Sequence, residues 1–206
     1  MSVTRFWLIR HAMVDENARA RLYGTMDVAL CEATLLEQAP MYRSLARRLP
    51  YPAAWKVSPL SRTQRTAEAI FAAGYPRVEP VIDGDLIEQH LGEWQGLAHA
   101  ALPARLTLPA HAFWPLGGHE RPPGGEAIAD VIERVGAALE RLAESHAGEE
   151  VVAVTHGGTI RAGVAHALDI GPDNVLHLSI GNLSLTRLER HPDAWRVVCV
   201  NELPGY

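Results

Sequence analysis

Phe6-Trp7-Leu8-Ile9-Arg10-His11 and, far along the chain, Glu150-Val151-Val152-Ala153-Val154-Thr155-His156-Gly157-Gly158 read alike. Each is an apolar run suited to a buried strand, and each ends on a histidine. Two strand ends therefore deliver one imidazole apiece to what reads as a single pocket. A pair of imidazoles beside an arginine suits a phosphoryl group: one ring attacks or binds phosphorus, while cations neutralise oxygens that gain charge in the transition state. Ten histidines are scattered through the chain, so an Arg-His dipeptide says little by itself. The blocks around it decide.

Outward from these runs, strands and helices alternate. Val3 to Ile9, Ala53 to Val57, Val78 to Ile82 and Glu150 to Thr155 read as strands. Leu35, Leu36, Ala39, Tyr42, Leu45, Ala46 and Leu49 share one helical face, with Thr34-x-x-Glu37 resembling a capping box at its start. Pro40 lies inside that pattern, so the helix either kinks there or begins near Gln38; a kink is the reading taken. Further helices are expected over Ser61 to Ala73, turning Ala67, Ile70 and Phe71 inward, and over Glu126 to Ser145, turning Ile128, Val131, Ile132, Val135, Leu139 and Leu142 inward. Another is expected from Gly158 to about Leu168. Leu183 to Leu188 and Trp195 to Val200, joined at His191-Pro192-Asp193, read as an added hairpin. The alternation predicts a three-layer α/β/α sandwich on a mainly parallel mixed sheet, one domain over residues 1–206. Gly96 to Gly125, with five prolines and Gly117-Gly118, should be short and broken in its regular structure, and is read as a cap over the pocket.

Composition narrows the classes of function. The 206 residues are 48% apolar and 21% charged with a formal charge of −5, ordinary for a globular domain and against general attraction to nucleic acid or anionic membrane. Any anion must be captured by a local cluster. Cys31 and Cys199 lack metal-ligand spacing and read as two reduced thiols. No run of eighteen apolar residues and no signal-peptide pattern occurs, so a cytoplasmic address is expected.

Two further blocks carry chemistry. Ser58-Pro59-Leu60-Ser61-Arg62-Thr63-Gln64-Arg65-Thr66-Ala67 places Arg62 in the first turn of a helix, where a cation opposes the helix dipole unless an anion lies between it and the backbone N–H groups. Gly157-Gly158 likewise opens a helix with little bulk against a ligand. Asp85 to Gly96 supplies carboxylates: displacing an alkoxide from phosphorus calls for a proton donor, and Glu88 and Glu93 both qualify by type.

In these blocks the chain resembles the histidine phosphatase superfamily, which includes the cofactor-dependent phosphoglycerate mutases. Leu8-Ile9-Arg10-His11, Ser58-Pro59-Leu60-Ser61-Arg62-Thr63-x-x-Thr66-Ala67, Leu86-x-Glu88-x-x-x-Gly92-x-Trp94-x-Gly96, Pro123-Gly124-Gly125-Glu126 and Thr155-His156-Gly157-Gly158 carry the likeness in order, over nearly the whole chain. The resemblance implies His11 as the nucleophile, converted to phosphohistidine, with Arg10, Arg62 and His156 around the transferring phosphoryl oxygens and Glu88, not Glu93, as proton donor. It also implies Asn17 as a further phosphate contact, Arg21 as a reader of the rest of the substrate, and Gly157 at the substrate. With Arg10, Arg62 and a protonated His156 supplying positive charge, no metal or other cofactor is expected.

The partner would be a small phosphorylated substrate, with no nucleic acid and no membrane; the oligomeric state is left open. Ala12 departs from the family's usual glycine after the nucleophile, so the turn there must be one a Cβ tolerates. Gly92-Glu93-Trp94-Gln95-Gly96 resembles the phosphatase branch, making phosphomonoester hydrolysis the reading. The alternatives are mutase-type phosphoryl transfer and a phosphate-binding regulatory pseudoenzyme.

Overall fold

In the computed structural model, which describes residues 2–205, strand β1 (Thr4–Arg10) runs through the centre of a six-stranded sheet. Side chains alternate across a strand, and both faces of β1 are covered. Phe6 and Leu8 enter one core, Ile9 and Trp7 the other. Strand β4 (Glu150–Thr155) does the same, with Val151 and Ala153 on the first face and Val152 and Val154 on the second. Double burial explains the near-continuous apolar runs.

The remaining strands are β2 (Ala54–Val57), β3 (Val81–Ile82), β5 (Leu185–Arg190) and β6 (Trp195–Glu202). Their order is β3-β2-β4-β1-β5-β6; β3, β2, β4 and β1 are parallel, whereas β5 and β6 add on antiparallel as the expected hairpin. The strand expected from Val78 shrinks to two residues, because Val81 and Ile82 lie at the sheet edge and stay more than half exposed (56% and 57%).

Helices α1 (Glu16–Arg19), α2 (Glu32–Glu37), α3 (Ala39–Arg48), α4 (Ser61–Ala72), α5 (Ile128–Ser145), α6 (Gly157–Leu168) and α7 (Pro172–Val175) complete the layers. Met41, Tyr42, Leu45, Ala67, Ile70 and Phe71 of α3 and α4 pack on one face of the sheet. Val131, Val135, Leu139, Leu142, Ile160 and Val164 of α5 and α6 pack on the other. The result is the three-layer α/β/α arrangement.

The kink expected at Pro40 is instead a break. The chain leaves α2 at Gln38 and restarts as α3, with Pro40 in its first turn, where the missing N–H costs no helical hydrogen bond. Thr34 caps nothing; its hydroxyl donates to the Cys31 carbonyl at 2.9 Å, and Cys31 is the N-terminal flanking residue.

Residues 96–125 hold only short 3-10 turns, His99–Ala101 and Pro103–Arg105. They are ordered by a small core in which Leu102 and Leu116 pack against Leu22, Leu91 and Trp94. Buried Glu120 braces the segment by accepting from the Thr107 N–H and hydroxyl and from the Leu108 N–H. Among the described residues no helix is long and apolar enough to cross a membrane.

Candidate active site

Parallel pairing of β1 with β4 sets the site. Arg10 lies opposite Thr155 in the register, so His11 and His156 follow side by side at the carboxyl edge of the sheet, where open α/β sheets bind ligands. The two rings meet edge to face, their centroids 5.1 Å apart. The His11 N–H donates to the Thr155 carbonyl at 2.9 Å, and Asn182 Nδ2 donates to the His11 carbonyl at 2.8 Å. Both backbone groups of His11 are thereby fixed.

The tautomers follow from the partners. His11 Nδ1 lies 2.7 Å from the Ala12 carbonyl, an oxygen that can only accept, so Nδ1 carries the proton and Nε2 keeps its lone pair. His156 Nδ1 faces Arg62 Nε at 3.3 Å, a group that can only donate, so Nδ1 is the acceptor. Its Nε2–H then points to Ser58 Oγ at 2.7 Å. Ala12 is buried, keeps an ordinary negative φ, and donates its N–H to Thr66 Oγ1 at 3.0 Å. The turn tolerates its Cβ.

Burial holds the His11 imidazole well below its ordinary range, with the Arg62 and Arg10 cations pushing further down and the Ala12 carbonyl opposing. His156 is lowered likewise, by burial first and then by His11, Arg62, Arg10 and Arg134. The expected imidazolium at His156 is therefore disfavoured: taking a positive charge out of water among other cations favours the neutral ring, and Nδ1 already accepts from Arg62 Nε.

A stability prediction follows. The unfolded chain binds protons on these two histidines from about pH 6.5 downward, whereas the folded chain does not until well below that value. Their contribution is fully present above pH 6.5 and is lost as pH falls towards the folded values, at about 1.4 kcal/mol per pH unit per histidine. Urea unfolding from pH 7.5 to 5 should show this slope, and His11→Ala should lower it by one proton's worth; an unchanged slope would refute it.

Arg62 is fully buried in the first turn of α4. It is stabilised there by carbonyls, with no anion needed to explain its position: Nη1 donates to Met26 O and Nη2 to Gly24 O, each at 2.7 Å. The guanidinium also lies 5.3 Å from the Tyr23 ring centroid. Arg10 donates through Nη1 to the Ile180 carbonyl, and its buried Nε has no protein acceptor among the described residues. A methyl on Gly157 would lie 3.4 Å from that Nε. The absence of a side chain at Gly157 thus leaves space beside an uncommitted donor.

Glu88 and Glu93 part company. Glu88 Oε2 accepts from the Gly158 N–H at the start of α6, at 3.2 Å, and Oε1 from the Gln89 N–H at 3.0 Å. A Cβ on Gly158 would stand 2.3 Å from Glu88 Oε1, so only glycine leaves the carboxylate where it is. The loop is laced on both sides. Arg134 Nη1 donates to the Asp85 and Ile87 carbonyls, while Glu126, paired with Arg134, accepts from the His90 N–H. Thr159 Oγ1 adds a bond to Ile87 O. Glu93, by contrast, is exposed and lines a separate cleft with Arg105, Thr107 and Arg121.

A cavity of about 490 Å³ opens beside this cluster, bounded by Arg10, Glu88, Gly157 and Gly158 at one end and reaching Arg21, a size typical of small-molecule sites; His11, Arg62 and His156 are buried behind that lining. Trp114, Pro115 and Leu116 of the 96–125 segment form part of its wall. Asn17 is not brought in. It sits exposed on α1, its backbone N–H taken by Asp15 Oδ1. The first-turn position that removes Asn17 is a capping effect that spacing from His11 cannot reveal. Among the described residues no group of three or more His, Cys, Asp or Glu is placed to hold a metal.

Sequence reasoning missed Arg161. It is buried on α6, donates through Nε to Leu178 O at 2.9 Å, and lies 4.3 Å from the Trp114 ring centroid. Burial lowers it to about 10, against the pull of Glu88 and with the push of Arg10. A signal was present: one arginine inside Thr159-Ile160-Arg161-Ala162-Gly163-Val164, an otherwise apolar helix.

Known proteins share the fold and much of the sequence. The model of the histidine phosphatase superfamily (branch 1) matches residues 6–203. A bifunctional protein of Mycobacterium tuberculosis is 33% identical over 203 residues, 98% of this chain but 55% of that protein. The chain thus spans about half the length of that relative. A glucosyl-3-phosphoglycerate phosphatase of Mycolicibacterium vanbaalenii is 33% identical over 208 residues, covering 94% of this chain and 88% of its own. The solved native structure of a mycobacterial glucosyl-3-phosphoglycerate phosphatase superposes with a TM-score of 0.82 at 30% identity, over 97% of this chain and 99% of the other. With the family model matched from the first strand to the last and the same fold recovered end to end, the chain belongs to the histidine phosphatase superfamily, branch 1.

Proposed function

We propose that the protein is a phosphomonoesterase that works through a phosphohistidine on His11 and acts on a small phosphorylated metabolite. The observation that carries this reading is the His11 ring itself: Nδ1–H is held by the Ala12 carbonyl, the ring is neutral in the physiological range, and Nε2 is left as a nucleophile beside Arg10 and Arg62. In the first step Nε2 bonds to phosphorus in line with the departing oxygen, the P–O bond to the alcohol breaks, and Glu88 gives that oxygen its proton. In the second, Glu88 takes a proton from water, the hydroxide oxygen bonds to phosphorus, and the P–N bond breaks to release phosphate. Arg10 and Arg62 offset the charge on the equatorial oxygens. His156 contributes as a neutral ring, steadying Arg62 and presenting an Nε2–H that a phosphoryl oxygen can take over from Ser58.

The same intermediate would serve a mutase, which passes the phosphoryl group to a second hydroxyl instead of water. Release of inorganic phosphate without an acceptor alcohol separates the two. A regulatory pseudoenzyme would release none.

Orthovanadate, which adopts five-coordinate geometry, should inhibit competitively in the micromolar to low millimolar range. Arg62→Ala should raise the vanadate inhibition constant about tenfold or more and lower turnover, because a guanidinium contact acts on ground state and transition state alike. Since Arg62 also fastens Gly24 and Met26, the variant's melting curve must be recorded beside its kinetics. No phosphate release and no vanadate inhibition in folded parent protein would overturn the proposal.

A further inference from the structure

Three arginines line the cavity, Arg10, Arg19 and Arg21, and two more are buried near its inner end, Arg161 beside Gly157 and Arg62 on His156; none of the five forms an ion pair among the described residues. The cavity lining holds one carboxylate, Glu88. In a chain of formal charge −5, this local excess of cations is what draws an anion in. It is also divided in space.

Arg10 stands at the inner end beside Gly157, with Arg62 and Arg161 buried behind it. Arg19, Arg21 and His99 are exposed and mark the outer end. Between them the wall is mainly apolar, made of Leu22, Leu91, Leu116 and the rings of Tyr23 and Trp114, with Gln89 beside them. The Arg21 guanidinium is held in place, Nη1 donating to Gly96 O at 2.9 Å, and His99 Nε2 lies 3.1 Å from the backbone carbonyl of Arg19. Arg21 further sits in a backbone bridge to Ala98. One end is therefore cationic and buried, the middle is mainly apolar, and the far end is cationic and wet.

A phosphoryl group at His11 engages the inner cations and leaves the outer ones unused. From this division we infer that the physiological substrate is two-ended, a phosphomonoester whose alcohol portion has an apolar body and carries a second anionic group, read by Arg19 and Arg21. This rests on the phosphomonoesterase reading above and adds to it the chemical class of the leaving alcohol.

The test uses aryl phosphates that bear a para carboxylate, attached directly or through one to three methylenes, each paired with its primary amide and compared with phenyl phosphate. The amide keeps size and removes charge, and the methylene series covers the unknown span. The expected result is that at least one carboxylate exceeds its amide by about fivefold to tenfold in kcat/KM, as one charge-assisted contact at a wet site provides. That ratio should shrink at high salt, since exposed charges are screened, and should collapse towards one in the double variant Arg19→Gln/Arg21→Gln. Melting curves of the double variant exclude unfolding as the cause. Hydrolysis of phenyl phosphate with no carboxylate preferred over its amide overturns the two-ended substrate and leaves the phosphomonoesterase standing. A preference that survives in the double variant overturns the assignment to Arg19 and Arg21. Failure to hydrolyse any member overturns both readings.

Discussion

His11→Ala is expected to abolish turnover, by at least ~10³-fold, and to abolish phosphoryl transfer to the protein altogether. The magnitude follows from the unit character of such a site: removing the nucleophile costs nearly as much as removing several members together, and what survives comes from binding and charge stabilisation alone. The structure leaves no substitute. His156, the neighbouring ring, has Nδ1 occupied by Arg62 and Nε2 turned to Ser58, so it presents no free lone pair at the cavity floor. The check is an alkaline quench of parent and variant with substrate, followed by mass spectrometry for phosphohistidine. A label on another residue, or substantial activity in His11→Ala, would sink the assignment.

Glu88→Gln is expected to lower turnover by ~10²–10⁴ for alkyl phosphomonoesters, whose alkoxides leave poorly without a proton. With 4-nitrophenyl phosphate the deficit in the phosphorylation step should contract, because that leaving group is stable as an anion. The amide can still accept one of the two N–H bonds that Gly158 and Gln89 offer Glu88, so the loop keeps an anchor; a melting curve verifies this. Glu93→Gln should change either substrate little, since Glu93 is exposed in a different cleft. Burst kinetics of both variants on both substrates decide the matter. If the leaving-group dependence belongs to Glu93→Gln, the proton donor has been assigned to the wrong carboxylate.

How much of this was legible in the residues depends on whether the signal is local. The layers, the order of strands and helices and the final hairpin follow from apolar periodicity, which survives tertiary packing because it is caused by it. The meeting of His11 with His156 was legible for the same reason: both end doubly buried strands. Where two local rules compete, the reading weakens. Pro40 admits a kink or a restart, and the chain restarts at Gln38, which puts Pro40 in the first turn of α3, while α2 buries no residue and leaves Leu36 exposed. Val78 to Ile82 reads as a strand, yet Pro80 offers no N–H to a neighbour and at the edge only Val81 and Ile82 pair.

Long-range satisfaction is what no spacing rule supplies. The Gly24 and Met26 carbonyls that stabilise Arg62, the Ser58 hydroxyl at His156, the Asn182 amide at His11 and the Arg134–Glu126 brace around Glu88 all come from distant parts of the chain. The protonation of His156 was misjudged for a related reason. Counting cations near a phosphate site says that positive charge is wanted, but only burial says that a third or fourth one cannot be kept on an imidazole.

One contact bears on how such a protein can diverge. The guanidinium that donates to His156 is the same one that ties down the Gly24 and Met26 carbonyls, so the turn forming one wall of the cavity is built onto the histidine pair. Substitutions across residues 22–26 that accommodate a new alcohol must keep those two carbonyls aimed, or the chemistry suffers with the recognition. The opposite wall carries no such tie to the histidine pair: Trp114 lies against the Arg161 guanidinium, and Leu116 packs with Leu22, Leu91, Trp94 and Leu102. Lineages that change substrate while keeping the reaction should therefore vary the 96–125 segment in sequence and length, and hold the 22–26 turn nearly constant in backbone path.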